Sequence, residues 1–383
     1  MHIPGFDLKF FERDIEWLTK RFEDLLRTGF ISMGENVANF ERQFATFCGV
    51  RHAVGVSSGT CALETVLRAI DVRDATVLLP SHTFMATATA CVHAGARVIF
   101  VDCQPDNFQM DPDDLETSIQ PDSKVVILVH MAGIISPHID RIRQICKKYG
   151  LILLEDSAHA HGATIDGRKA GSIGHAGCFS FFSTKVMTTG EGGMVTTSDS
   201  ALDQACRAFR DHGRFTSDPN WHEEFAGNAR PSEIHALLGL RQLALIESIL
   251  IERRNIARCY DGLLSDDRIL FVTRLKIPSN IQSAYYKYVV YLDERIDRLE
   301  LRRRLKADFG VSLAGELYAR PVHSQPVFDK YPEKVVRQNG KRFPGTDFAV
   351  KRHICLPLYP GLSDDKVQYV VQSLARAVRD CVS

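Results

Sequence analysis

The sequence predicts an α/β protein: a large domain on a mostly parallel sheet, then a smaller α+β domain at the C-terminus. Two observations carry this expectation. Four short apolar runs, TVLLP (76–80), RVIFVD (97–102), KVVILVH (124–130) and LILLED (151–156), alternate with the helix-like stretches TCALETVLRAI, ATATACVHAG and DRIRQICKKYG. Buried runs interleaved with helices signal βαβ units, whose parallel sheet is covered on both faces. From about residue 255 the rhythm changes to a mixture, with AYYKYVVYLD strand-like and DRLELRRRLKADFG helical.

The remaining elements follow in chain order. FERDIEWLTKRFEDLL and NVANFERQFATFC space their apolar residues as helices do, so residues 1–50 are expected to be helical. VSSGTCALETVL is a strand, a few small residues and a helix, and GGMVTTSD is a further strand. A long helix begins near Pro231 and Ser232, which form a start signal. The division expected is 1–245 for the large domain and 246–383 for the small one, with the N-terminal helix packing on the latter. There is no internal repeat and no low-complexity segment.

Composition excludes several classes. The 383 residues are 45% hydrophobic and 25% charged, which suits a globular protein of about two domains. Its 47 basic and 47 acidic residues cancel, so no global field favours nucleic acid or an anionic membrane as partner. The start, MHIPGFDLKFFERDIEWL, meets charge too early for a secretory signal. No uninterrupted apolar run approaches the roughly 18 residues of a membrane span. Ten cysteines are scattered without a CxxC pair, which predicts reduced thiols in the cytoplasm and no structural zinc or other metal.

Ligands of parallel sheets sit beyond the carboxyl ends of the strands. LILLEDSAHAHGA places Glu155 and Asp156 there, and an extended chain sends them to opposite sides, so one of them is expected to enter a site. Such an Asp is often only a cap or a turn; its functional use is to pair with a cationic ring nitrogen or a metal. Ser57, Ser58, Gly59 and Thr60 lie where a helix would begin, a place suited to phosphate. No GxxxxGK[ST] occurs, and GEGGM precedes a strand, which argues against a dinucleotide. Lys185 stands between CFSFFST and VMTTGEGGM. Most lysines lie at the surface, but one desolvated in a close-packed turn has a lowered pKa and a neutral amine able to capture a carbonyl. An aldehyde-capturing amine, a phosphate cradle and a strand-end carboxylate are together what pyridoxal 5'-phosphate needs.

The ordered runs SSGTCAL, LPSHTFMATATA, VIFVDCQPDNFQMDP, EDSAHAHGA, CFSFFSTKVMTTGEGG, GNARPSEIHA and LPLYPGLSDDKVQYVVQSL resemble the DegT/DnrJ/EryC/StrS family. These are fold-type I pyridoxal-phosphate enzymes, mostly aminotransferases of nucleotide-carried keto sugars or of keto cyclitols. The resemblance implies that Lys185 holds the cofactor's aldehyde and moves the proton, while Asp156 pairs with the pyridinium nitrogen. It further implies that Phe84 stacks on the ring and that Thr60, the backbone at Cys61 and Ser180 hold the phosphate. Asn228 would reach the phosphate of a neighbouring subunit, making the active unit a homodimer. His159 stands where many members carry Gln near the phenolic oxygen, and Ala229 and Pro231 replace the usual neighbours of Asn228. His161 is expected to be structural.

The reaction implied moves an amino group from an amino acid, glutamate by resemblance, to a keto sugar. Tyr318, Arg320 and His323, in GELYARPVHSQPVF, are the candidates for substrate contact, with Arg210 and Arg214 as further ones. A dehydratase of the same family would have His in place of Lys185. A non-catalytic cofactor-binding module is the alternative from another class.

Overall fold

The computed structural model describes residues 1–264, 269, 271–338 and 340–382. Its first five strands are β1 (His52–Val56), β2 (Thr76–Pro80), β3 (Arg97–Val101), β4 (Ser123–Val129) and β5 (Ile152–Asp156). A small hairpin, β6 (Thr164–Ile165) and β7 (Arg168–Lys169), precedes β8 (Ala176–Ser180) and β9 (Gly193–Thr197). The central sheet runs β3-β2-β4-β5-β8-β9-β1. It is parallel from β3 to β8, and β9 alone opposes both of its neighbours.

Both faces of this sheet are buried, which is why its strands read as unbroken apolar runs. Leu78, Val126 and Leu128 point into one core, and Val77, Leu79, Val125 and Ile127 into the other. The same alternation separates the carboxylates that end β5. Asp156 turns to the carboxyl edge of the sheet. Glu155 is fully buried and accepts from His130 Nε2 at 2.8 Å and from the N–H groups of Gly171, Ile173 and Gly174 at 2.6–2.9 Å.

In the C-terminal domain β10 (Val272–Arg274), β12 (Tyr288–Leu292) and β13 (His353–Leu356) form an antiparallel sheet, while β11 (Ile281–Gln282) joins β6. The two domains share one continuous 31-residue helix, Glu233–Leu263. Ala236, Leu243, Ile246 and Leu250 belong to the first core, whereas Ile256, Ala257 and Tyr260 belong to the C-terminal one. The expected division at 245/246 therefore falls inside a helix, about two turns before the change of core. This helix is long and apolar enough to span a membrane, although Arg241 and Glu247 interrupt it; here it is the shared core helix.

At the other end of the chain, Ile3 pairs with Val311 and lies in the C-terminal core. The helix Glu12–Thr28 instead lies on the long helix, where Arg241 Nε donates to Asp14 Oδ1 at 2.8 Å.

Burial alone raises the pKa of Glu155, yet the hydrogen bond and charge of His130, with the N–H donors, bring it below the ordinary carboxylate value. The stability it contributes is therefore fully present above that ordinary value and lost as pH falls from there through the lowered one. Glu155→Ala leaves four buried donors without an acceptor and is expected to cost about 3–5 kcal/mol in denaturant unfolding, the range for breaking a buried pair. A loss under about 1 kcal/mol would show that the 171–174 turn does not depend on this carboxylate.

Candidate active site

A cavity of about 300 Å³ opens where the carboxyl ends of β2, β4, β5 and β8 converge, lined there by Phe84, Val129, Asp156 and Ser180. Lys185 enters it from the turn that follows β8. FSFF alternates: Phe179 and Phe181 are buried against Phe44, at ring separations of 5.0 and 5.4 Å, while Ser180 and Phe182 line the cavity. The turn is tied down by Phe181 N–H on the Gly192 carbonyl at 2.8 Å and Lys185 N–H on the Phe182 carbonyl at 2.9 Å. Gly193 passes so close to the opposite loop that a Cβ there would lie 2.2 Å from the Ser58 carbonyl oxygen. No other residue fits this approach.

Lys185 is half-buried, and its amine faces the cavity with the Tyr286 ring centroid 4.8 Å away. Burial lowers its pKa to about 8, with Lys287 adding to the shift and Asp156 opposing it. Asp156 is only 7% exposed. Burial raises its pKa, partly offset by the Ala158 N–H at 3.2 Å and the Thr87 hydroxyl at 3.0 Å, and by Lys185. Both groups are thus pushed toward their neutral forms, and each draws the other toward charge.

The helix Gly59–Ala69 points its N-terminus at the same cavity. The Ser58 hydroxyl caps it by accepting the Cys61 N–H at 3.1 Å. This corrects the expectation for Cys61, whose N–H is taken by the cap and which does not line the cavity. The first N–H groups, those of Gly59 and Thr60, have no intrahelical acceptor. Ser180 packs against this turn: a Cβ on Gly59 would lie 2.7 Å from Ser180 Cβ.

Four rings form one wall. Tyr286 stacks on His159 at 4.2 Å, Tyr318 lies 6.0 Å from His159, and Phe84 stacks on Tyr318 at 5.4 Å. The Tyr318 hydroxyl is 3.1 Å from His159 Nε2, and His159 Nδ1 is buried without a partner among the described residues. Burial, then the charge of Lys185, holds the His159 pKa well below its ordinary value, so the ring is neutral at pH 7. Tyr286, Thr87 and Glu191 line the cavity although the sequence marked none of them. The one available signal was for Thr87, one helical turn beyond Phe84.

Other expected residues lie elsewhere. Asn228 is exposed, outside the cavity, with its side chain accepting the Arg230 N–H at 3.1 Å. Arg320 is also exposed and outside it. His323 is corrected as a substrate contact: its Nδ1 is hydrogen-bonded to the Ser81 hydroxyl and its ring stacks on Phe343 at 4.2 Å. Arg210 is buried and holds Glu41 and the Gly55 carbonyl, and Arg214 pairs with Asp211, so both are occupied structurally. His161 sits buried between Phe179 and Phe181 and does not line the cavity.

The residues present fit pyridoxal phosphate. A desolvated amine suits an aldehyde, a buried carboxylate with raised pKa suits a cationic ring nitrogen, and two N–H groups without an intrahelical acceptor, with the Thr60 and Ser180 hydroxyls, suit a phosphate. Fold and site together define a fold-type I pyridoxal-phosphate-dependent aminotransferase. The chain belongs to the DegT/DnrJ/EryC1/StrS aminotransferase family, whose model matches residues 13–375. It is similar to the spore coat polysaccharide biosynthesis protein SpsC of Bacillus subtilis, at 34% identity over 94% of this chain and 92% of the relative. GDP-perosamine synthase of Vibrio cholerae is 30% identical over 92% and 93%. The crystal structure of DesV from S. venezuelae, in complex with a ketimine intermediate, superposes with a TM-score of 0.89 at 28% identity over 98% of each chain. Other solved structures of this fold carry pyridoxamine phosphate.

A lysine with a pKa of about 8 is protonated below that pH and free above it. Capture of pyridoxal phosphate by the cofactor-free protein, trapped with borohydride, should therefore rise about tenfold per pH unit and level off near pH 8. A rate still rising toward pH 10 would show an ordinary solvated lysine.

Proposed function

We propose that the protein transfers the amino group of glutamate to a keto sugar carried on a nucleotide, in amino-sugar biosynthesis. One observation carries this reading: the desolvated Lys185 amine and the Asp156 carboxylate face one cavity that a helix N-terminus also enters. Bound pyridoxal phosphate supplies an aldehyde and a cationic ring that withdraws electrons from the reacting carbon. Asp156, held by Thr87 and Ala158, keeps that ring's nitrogen protonated. Gly59 N–H, Thr60 and Ser180 anchor the phosphate. His159, neutral and braced by Tyr286 and Tyr318, offers Nδ1 as a polar contact. Lys185 Nζ takes the proton from the donor's α-carbon and returns it, a transfer that contributes about 10²- to 10⁴-fold.

The nucleotide-linked acceptor is supported by the relative whose name gives a GDP-linked product. A homodimer is supported by the large apolar side chains left uncovered on one chain. Phe84 and Phe182 rim the cavity, and Trp221 and Phe225 stand out on the segment that leads to Asn228, with Phe225 97% exposed. Free surfaces of this kind mark contacts between proteins. Asn228 of one subunit would then contact the phosphate in its partner. A cytoplasmic location is supported by ten cysteines that are all free, most of them buried.

The test is a pair of half-reactions followed by absorbance. Glutamate should convert the bound cofactor to its amine form with release of the keto acid, and a nucleotide-linked keto sugar should convert it back. Lys185→Ala should retain the cofactor and lose the first half-reaction by at least about 10²-fold. Co-expression of Lys185→Ala with Asn228→Ala should recover activity that neither variant has alone. A wild-type rate in Lys185→Ala, or no recovery on mixing, would contradict the mechanism or the shared site respectively.

A further inference from the structure

Two buried histidines grip the backbone of Leu317, the residue before Tyr318 in the cavity wall. His82, just beyond β2, places Nε2 2.6 Å from the Leu317 carbonyl oxygen. That oxygen can only accept, so Nε2 carries the proton. His353, which opens β13, has Nδ1 2.6 Å from the Ala349 carbonyl oxygen. Its Nδ1 is therefore the donor, and its Nε2 is left to accept the Leu317 N–H at 2.7 Å. His353, which donates at one nitrogen and accepts at the other, needs a neutral ring, whereas His82 needs only a proton on Nε2. Burial lowers the two pKa values to about 3 and about 4, so both rings are neutral at pH 7. The imidazoles are 5.8 Å apart, with the Phe108 ring packed on both at 5.4 and 5.3 Å.

The residue that follows is Tyr318, with φ +59°. A large side chain seldom holds this left-handed region unless its surroundings impose it. The clamp supplies that imposition, because Leu317 cannot rotate without breaking a bond on one side or the other. His82 belongs to the large domain, while Leu317 and His353 come from the C-terminal one.

We propose that His82 and His353 are positioning residues that, by holding the Leu317 backbone on both sides, keep Tyr318 left-handed with its hydroxyl on His159 and its ring against Phe84. The wall of the cavity is then built only when the two domains are docked. The structural part of this inference stands apart from the proposed function; its kinetic part rests on that reading.

Fluorine NMR of cofactor-free protein carrying fluorotyrosine separates the two. The signal missing from Tyr318→Phe identifies residue 318. His82→Gln and His353→Gln lose the imidazole, which at His82 lies 6.3 Å from the Tyr318 ring, but keep a donor or acceptor at similar reach, so each gives one sharp line that serves as the reference position of that signal. His82→Leu and His353→Leu should move or split it while the other tyrosine signals stay. His82→Asn, whose amide falls short of Leu317, gives the same readout should the leucine variants not fold. An unmoved signal in the folded variants that lack the bond overturns the proposal. In the loaded enzyme, His82→Leu should lower kcat/KM for the acceptor about tenfold, yet no more than about twofold on top of Tyr318→Ala, which removes hydroxyl and ring together. Equal losses in both backgrounds also overturn it. Failure of the wild type with every keto sugar would instead sink the proposed function, and the fluorine result would still decide the clamp.

Discussion

The site depends on burying an amine and a carboxylate together without letting either become an ordinary ion. Desolvation favours the neutral form of each, and their mutual attraction favours the charged forms. At Lys185 desolvation wins far enough to bring the pKa to about 8, close to neutrality. Asp156 is held from the other side by one hydroxyl and one N–H, too few partners to satisfy a buried carboxylate fully. A ligand that is cationic at one point and electrophilic at another relieves both groups at once. Pyridoxal phosphate has that pattern.

The fold makes this balance possible by bringing strand ends together. Asp156 and Ser180 end adjacent parallel strands, and Phe84 and Thr87 follow a third. Because strand residues alternate, Glu155 falls on the other side and is used to hold the 171–174 turn. One carboxylate is thereby structural and its neighbour chemical. The same alternation puts Phe179 and Phe181 into the core and Ser180 and Phe182 into the cavity. The C-terminal domain closes the wall through Tyr286 and Tyr318, and the helix Glu233–Leu263 carries the chain from one core to the other.

Much of this was legible because it rests on local patterns. LILLED and KVVILVH are buried on both sides and so read as continuous apolar runs, and the lysine among aromatic and glycine-rich neighbours stood out by its charge. What was hidden depended on distance in the chain. Tyr286 lies in a run that reads simply as a strand, yet it stacks on His159 across more than a hundred residues. Cys61 was misplaced because a serine cap and a phosphate site share one sequence pattern, and only geometry shows which N–H groups remain free. His323 sits in a suggestive loop, but whether its ring turns to the cavity or to Ser81 is decided by packing. The domain division was blurred because the chain changes cores without leaving its helix.

The most direct measurement of the balance is the ionisation of Lys185 in the cofactor-free protein, followed by NMR of labelled lysine in the wild type and in Asp156→Asn. The carboxylate opposes the effect of burial, so removing its charge should carry the lysine midpoint clearly below about 8. A midpoint that does not move, or that lies near the 10.4 of a solvated lysine in either protein, would contradict the account.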